Sequence, residues 1–164
     1  MWLLEHCLKE WKKGGISYAY EKLVKMAEWT PAFLSLIDPD HASFANPLSM
    51  TKAIYVFFIS TNQPTPSNHA AFVRCIFESL SLKYKYILGK INGLAPFPIE
   101  KFHVIGGGSK NPLLNQWTAN AIGMPVFAGP SEATAIGNIV IQAKAAGCVD
   151  WFAEMRRIIR DSVH

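Results

Sequence analysis

The segment Ile105-Gly106-Gly107-Gly108-Ser109-Lys110-Asn111-Pro112 constrains this chain more than any other. Phe102-His103-Val104-Ile105 ahead of it is a short strand candidate. Behind it, Leu113, Leu114, Trp117 and Ala121 fall on one face of a helix over Pro112 to Ile122. Asn111 stands at the N-cap, Pro112 at the first helical position and Gly123 at C′, the usual punctuation of a helix. Three glycines between a strand and a helix permit backbone angles barred to residues with a Cβ, and they let a ligand approach the main chain. The helix N-terminus presents unpaired N–H groups that favour a phosphate or ribose oxygen. A tight turn without a ligand also uses glycine, so both readings stay open at this point. The segment is neither G-x-G-x-x-G nor a P-loop, since no Gly-Lys-Ser/Thr follows.

A second strand is expected over Pro125 to Ala128, with helices from about Ser131 to Ala146 and Asp150 to Arg160. Strand, helix, strand and helix in succession imply a right-handed parallel crossover and an α/β layer. The first two thirds read mainly as helix. Leu4, Cys7, Leu8 and Trp11 recur at helical spacing until Gly14-Gly15. Tyr20, Leu23, Val24 and Ala27 make a second stripe, with Ser17 as its expected N-cap and Pro31 closing it. Ser35 to Pro47 is turn-rich. Thr51 to Ser60 suits a short helix or a buried strand. A long helix follows from Phe72 to beyond Ile87, ended by Gly93, Pro96 and Pro98. Trp11, Trp29 and Trp117 lie on helical stripes and are expected in the core.

Composition removes several classes. Half of the 164 residues are hydrophobic and 17% are charged, as in one globular domain. The net charge of +4 is scattered, and its densest cluster, Arg156, Arg157 and Arg160, reads as a solvated helix face. Nucleic acid is therefore not an expected partner, because backbone binding needs a sustained basic stripe. The most apolar run, Ala53 to Ile59, is far short of the about 20 residues that cross a bilayer, so no membrane association is expected. Cys7, Cys75 and Cys148 have no paired or zinc-like spacing and read as small hydrophobes in a reducing, cytoplasmic setting. No metal ligands are expected. Asp38-Pro39-Asp40 suits a turn rather than an acid/base pair, and Glu132 suits the first turn of its helix. His103 is expected to be a packed strand residue, while His6, His41, His69 and His164 lack catalytic partners at recognisable spacing.

The run from Gly106 to Gln116 resembles the glycine-rich segment in the second domain of FGGY carbohydrate kinases. Ala128-Gly129-Pro130-Ser131-Glu132-Ala133-Thr134-Ala135-Ile136-Gly137-Asn138 looks like the next block of one sugar-specific branch of that family. Ser35 to Asp40, with Phe44, Asn46, Pro47 and Met50, is similar to the same branch, as is Val73 to Leu80. The likeness runs through nearly the whole chain in one order. It implies a fold of α/β class, a partial actin-like (ribonuclease H-like) ATPase lobe that is helix-rich with a truncated sheet. In that family the glycine turn packs against the adenosine part of ATP. The resemblance therefore implies nucleotide contacts at Gly106, Gly107, Gly108, Ser109 and Asn111, with Gly107 and Asn111 foremost.

Phosphorylation of a sugar by ATP needs Mg²⁺, a carboxylate to take the hydroxyl proton, and a sugar pocket. The resemblance implies an Asp-x-Gly-Thr/Ser phosphate loop and a general-base aspartate. Asp38, Asp40, Asp150 and Asp161 match neither pattern. On this reading residues 1–164 form a single incomplete C-terminal lobe with no catalytic residue of its own. The chain is expected to be inactive alone, to keep part of the adenosine site, and to meet a sugar only with the missing lobe. An actin-like lobe is built on a five-stranded sheet, so an exposed apolar patch and self-association are expected. The alternative is a non-catalytic nucleotide-binding or assembly module completed by a partner chain.

Overall fold

The computed structural model describes residues 1–162. It places helices α1 (Trp2–Lys13), α2 (Tyr20–Glu28), α3 (Met50–Ser60) and α4 (His69–Asn92) ahead of strand β1 (Phe102–Val104). Helix α5 (Pro112–Ile122), strand β2 (Val126–Ala128) and helices α6 (Ala133–Ala145) and α7 (Phe152–Ser162) follow. Short 3₁₀ turns lie at Ala42–Phe44 and Gly107–Lys110. His164 lies outside the described residues.

The expected stripes make the main core. Leu4, Cys7 and Trp11 of α1 and Leu23 and Ala27 of α2 are buried against Val73, Ile76 and Phe77 of α4. Full burial of side chains such as Leu23 or Phe77 contributes about 1.5–3 kcal/mol each. The ambiguous stretch after Thr51 is helix α3. Ser49 Oγ accepts from Lys52 N at 3.2 Å, and Ile54 and Phe58, four apart, are buried together. An alternating strand would have put those two on one face with Val56, which is exposed. Helix α4 is about 36 Å long at 1.5 Å per residue. Its first half is core; Tyr86, Ile87 and Ile91 in its second half are exposed.

β1 and β2 pair in parallel, with Phe102, His103 and Val104 opposite Val126, Phe127 and Ala128. The expected strand–helix–strand unit is therefore present, and α5 lies against α4. Among the described residues this sheet has two strands. A second, smaller core forms where Val140 of α6 meets Val149 and Met155, with Ile136 and Ile159 packed beside them.

Several expectations need correcting. Ser17 does not cap α2. Ala19 holds that position without a side-chain bond, so the helix starts two residues later than a Ser17 cap requires. Trp29 is not core: it follows the last turn of α2 and is 87% exposed. Glu132 stands at the N-cap of α6 rather than within its first turn, and α7 begins at Phe152 rather than Asp150. Cys148 is exposed, whereas Cys7 and Cys75 are buried as expected. His103 is exposed but stacked on Phe127, with ring centroids 5.2 Å apart.

Candidate functional site

The turn after β1 is set by Gly106. Its φ of 77° and ψ of −167° lie in a region that only glycine enters at low cost. Gly106 N–H donates to Pro130 O at 3.1 Å, which ties the turn to the segment leaving β2. Gly106 O accepts both Ser109 N–H at 3.0 Å and Ser109 Oγ–H at 2.8 Å. Asn115 Nδ2 then donates to Ser109 O at 2.9 Å from one turn inside α5. Gly129, on the neighbouring strand end, donates to Val104 O at 2.7 Å. A Cβ there would stand 3.0 Å from Ile105 Cγ2, so this glycine answers a packing demand.

Gly107 is different. Its φ is not positive, and a Cβ added to it would have nothing within 4 Å. The fold makes no demand for glycine at this exposed position. A Cβ on Gly108 would lie at 3.8 Å from Met1 Cγ, which places the first turn of α1 beside the glycines.

Asn111 caps α5 as expected, its Oδ1 accepting Leu114 N–H at 3.1 Å. Its Nδ2 donates to the Tyr20 hydroxyl at 3.0 Å, and the residue is only 1% exposed. Both ends of the amide are thus engaged inside the protein. Burial pushes the Tyr20 phenol up, against the Asn111 hydrogen bond and with the Glu5 charge adding to the rise. Gly123 closes α5 in the left-handed conformation at φ 71°, as read from the sequence.

The five expected site residues therefore form one turn, but they present different things. Gly106, Gly107 and Gly108 offer main chain. Ser109 is 8% exposed and turns its hydroxyl inward, and Asn111 works from within. Lys110 is exposed at the end of the turn. It borders an open groove of about 460 Å³ between α2 and α5, with Val24, Lys25, Pro112, Leu113 and Gln116 on its walls. A larger open groove, about 910 Å³, runs along α2 beside Trp29 and Lys22, among residues other than those of the turn.

Sequence reasoning missed Tyr20 and Asn115. Tyr20 lies 91 positions from Asn111, and no pattern in the chain links them. Asn115 stands four after Asn111, a helical spacing that could have marked it. The other singled-out residues do structural work. Asp38 and Asp40 both pair with Lys83 Nζ, at 2.7 and 2.9 Å, and Asp38 Oδ1 accepts Asp40 N–H as in a turn. His41 Nδ1 accepts Ser43 N–H, and His69 stacks on Trp11 with ring centroids 4.0 Å apart. Arg156, Arg157 and Arg160 are exposed on α7, as a solvated face should be. Among the described residues, no group of three or more His, Cys, Asp or Glu side chains could hold a metal ion, and no helix is long and apolar enough to cross a membrane.

A parallel strand–glycine turn–helix–strand unit, backed by a helical layer, defines an α/β domain whose turn exposes main chain at Gly107. The model of the FGGY family of carbohydrate kinases, C-terminal domain, matches residues 1–146, and the chain belongs to that family. It is similar to a rhamnulokinase of Bacteroides thetaiotaomicron, 52% identical over 99% of this chain and 33% of the relative. A rhamnulokinase of Pectobacterium atrosepticum is 38% identical over 97% of this chain and 31% of the relative. One of Bacillus subtilis is 34% identical over 99% of this chain and 33% of the relative. The chain thus spans about a third of the length of these relatives. The sugar-specific branch that the sequence resembles is that of the rhamnulokinases, the name these relatives share.

Proposed function

We propose that this chain supplies the adenosine-facing side of the nucleotide site in an ATP-dependent sugar kinase. In the complete enzyme the acceptor is L-rhamnulose and the product L-rhamnulose 1-phosphate. Family membership supports sugar phosphorylation, and the name that the relatives share supports the sugar. The domain is read as part of an actin-like lobe, with β1–α5–β2 as a parallel crossover of it.

One observation carries the nucleotide reading: Gly107 is glycine where neither backbone angle nor packing requires it. A missing side chain that the fold does not need leaves room for something that approaches the main chain. Gly106, Gly108 and Ser109 complete that surface, and Asn111 sets the start of α5 behind it. At 1% exposure, a direct contact from the Asn111 side chain requires it to move outward. The residues fit the adenosine part of ATP, since they offer main chain and no carboxylate cluster. ATP supplies the phosphoryl group, and the Mg²⁺ that accompanies it is held by its phosphates. Neither the general base nor the sugar pocket is assigned to a residue of this chain, and on this proposal the chain alone binds nucleotide without turnover.

Titration calorimetry with ATP and with ADP tests this. The expected result is binding tighter than about 1 mM, near −4 kcal/mol, abolished in Gly107→Val with the melting temperature unchanged. A variant that melts lower but binds as before would overturn the reading and leave the glycines as a turn. A second reading, assembly with another chain, is favoured by exposed Leu94 (87%) and Phe97 (68%). Co-purification with a separate chain supports it; a sharp monomer with little apolar-dye binding counts against an exposed docking patch.

A further inference from the structure

The glycine turn is held almost entirely from within its own strand–helix–strand unit. Ser109 and Asn115 belong to that unit, as does the cap from Asn111 to Leu114, and Pro130 follows two residues after β2. Tyr20 is a tie from much farther away in the chain. It sits at the first position of α2, in the helical layer, and its hydroxyl accepts Asn111 Nδ2 at 3.0 Å.

The direction of that bond is fixed by the cap. Asn111 Oδ1 must face Leu114 N–H to accept it, so the NH₂ end can only point away from the helix. At 1% exposure the NH₂ has no access to solvent, and a buried donor without a partner is costly. Tyr20 supplies the partner. Without it, the amide gains by drawing Asn111 outward, and that motion carries the turn with it, because Asn111 N–H is bonded to Gly108 O at 3.2 Å.

We propose that Tyr20 is a positioning residue for the nucleotide turn. Through Asn111 it fixes the start of α5 and hence the main-chain geometry of Gly106 to Ser109. The inference rests on the nucleotide reading above for its functional meaning, but its structural part is measurable without any ligand.

The test uses the full chain and Tyr20→Phe, which keeps the ring and removes the hydroxyl. Amide resonances of Gly106 to Ser109 are expected to move, although they are far from position 20 in sequence. ADP affinity is expected to fall about tenfold. In an Asn111→Ser background, which keeps a helix cap too short to reach Tyr20, the added Tyr20→Phe change should have no further effect on either readout. A general loss of stability would instead lower affinity in both backgrounds, and that overturns the proposal. Turn resonances that stay fixed in Tyr20→Phe also overturn it, even if ADP still binds. If the resonances move while neither chain binds ADP, the positioning stands and the nucleotide reading falls.

Discussion

The side chain of Glu10 reaches from α1 to the start of α3, where its Oε2 accepts the Thr51 hydroxyl at 2.6 Å. The same carboxylate accepts the main-chain N–H groups of Met50 and Thr51 and the Ser49 hydroxyl. It thus satisfies the exposed donors of a helix N-terminus and meets the positive end of the helix dipole. Burial pushes this carboxyl up, but the bonds from Thr51, Met50 and Ser49 outweigh it and hold it below the ordinary glutamate range. A carboxyl with a depressed folded pKa stabilises the fold above its unfolded pKa and loses that effect as pH falls through the folded value. Glu10→Gln should therefore cost about 1–2 kcal/mol at pH 7. The gap to the parent should narrow below about pH 4.5, as read by urea melts across a pH series.

Glu78 ties three elements together and is nearly inaccessible to solvent. Its Oε1 takes Arg74 Nε at 2.7 Å and its Oε2 takes Phe33 N–H at 2.9 Å. Arg74 Nη1 in turn donates to Ala27 O and Glu28 O at the end of α2, and its guanidinium lies 4.6 Å from the Trp117 ring centroid. Replacing Glu78 by Ala leaves the partly exposed Arg74 without its carboxylate and Phe33 N–H without its acceptor, and should cost about 1–3 kcal/mol. Glu78→Ala combined with Arg74→Met should recover part of that loss in thermal melts. Equal instability of the single and double variants would show that the pair contributes little.

Gly106 and Gly107 should respond differently to alanine. Gly106→Ala forces a Cβ into a region that glycine alone occupies cheaply and should cost about 1–3 kcal/mol. Gly107→Ala meets no atom and no backbone strain, so its melting temperature should match the parent's. Calorimetry with ADP would then show whether the small Cβ already weakens binding, as an approach to the main chain requires.

Burial pushes the Cys7 and Cys75 thiols up to about 12, so neither forms a thiolate at neutral pH in the folded chain. Cys148 is exposed. An excess of a thiol reagent at pH 8 should modify one cysteine quickly and the other two only on addition of denaturant. Mass spectrometry should place the fast label at Cys148.

The parts of the fold legible in the sequence are those written in short-range chemistry. Asn111, Pro112 and Gly123 mark both ends of α5 because capping is settled within a few residues. The strands before and after it follow from apolar runs next to glycine and proline. The failures share a cause. Trp29 continues the α2 periodicity by one residue, but the helix ends at Glu28 and no neighbouring element covers the ring. Ser17 has the chemistry of a cap, yet the chain turns at Ala19. At the site, the glycines were visible as a local pattern. What holds them was not, since Tyr20 meets Asn111 only after two layers have packed.

The two cores have unequal depth, and the turn spans them. Asn111 hangs from Tyr20 and so from the large helical block, while Gly106 hangs from Pro130, which leads into α6 and its small cluster around Val140. Regions with few buried apolar contacts open first and at the lowest free energy. Amide exchange should therefore be faster through α6 and α7 than through the first half of α4. Each such opening slackens one anchor of the glycine turn while the other holds. The turn is in that sense a suture between a durable half and a labile one, and its order is lent to it by whichever half is closed.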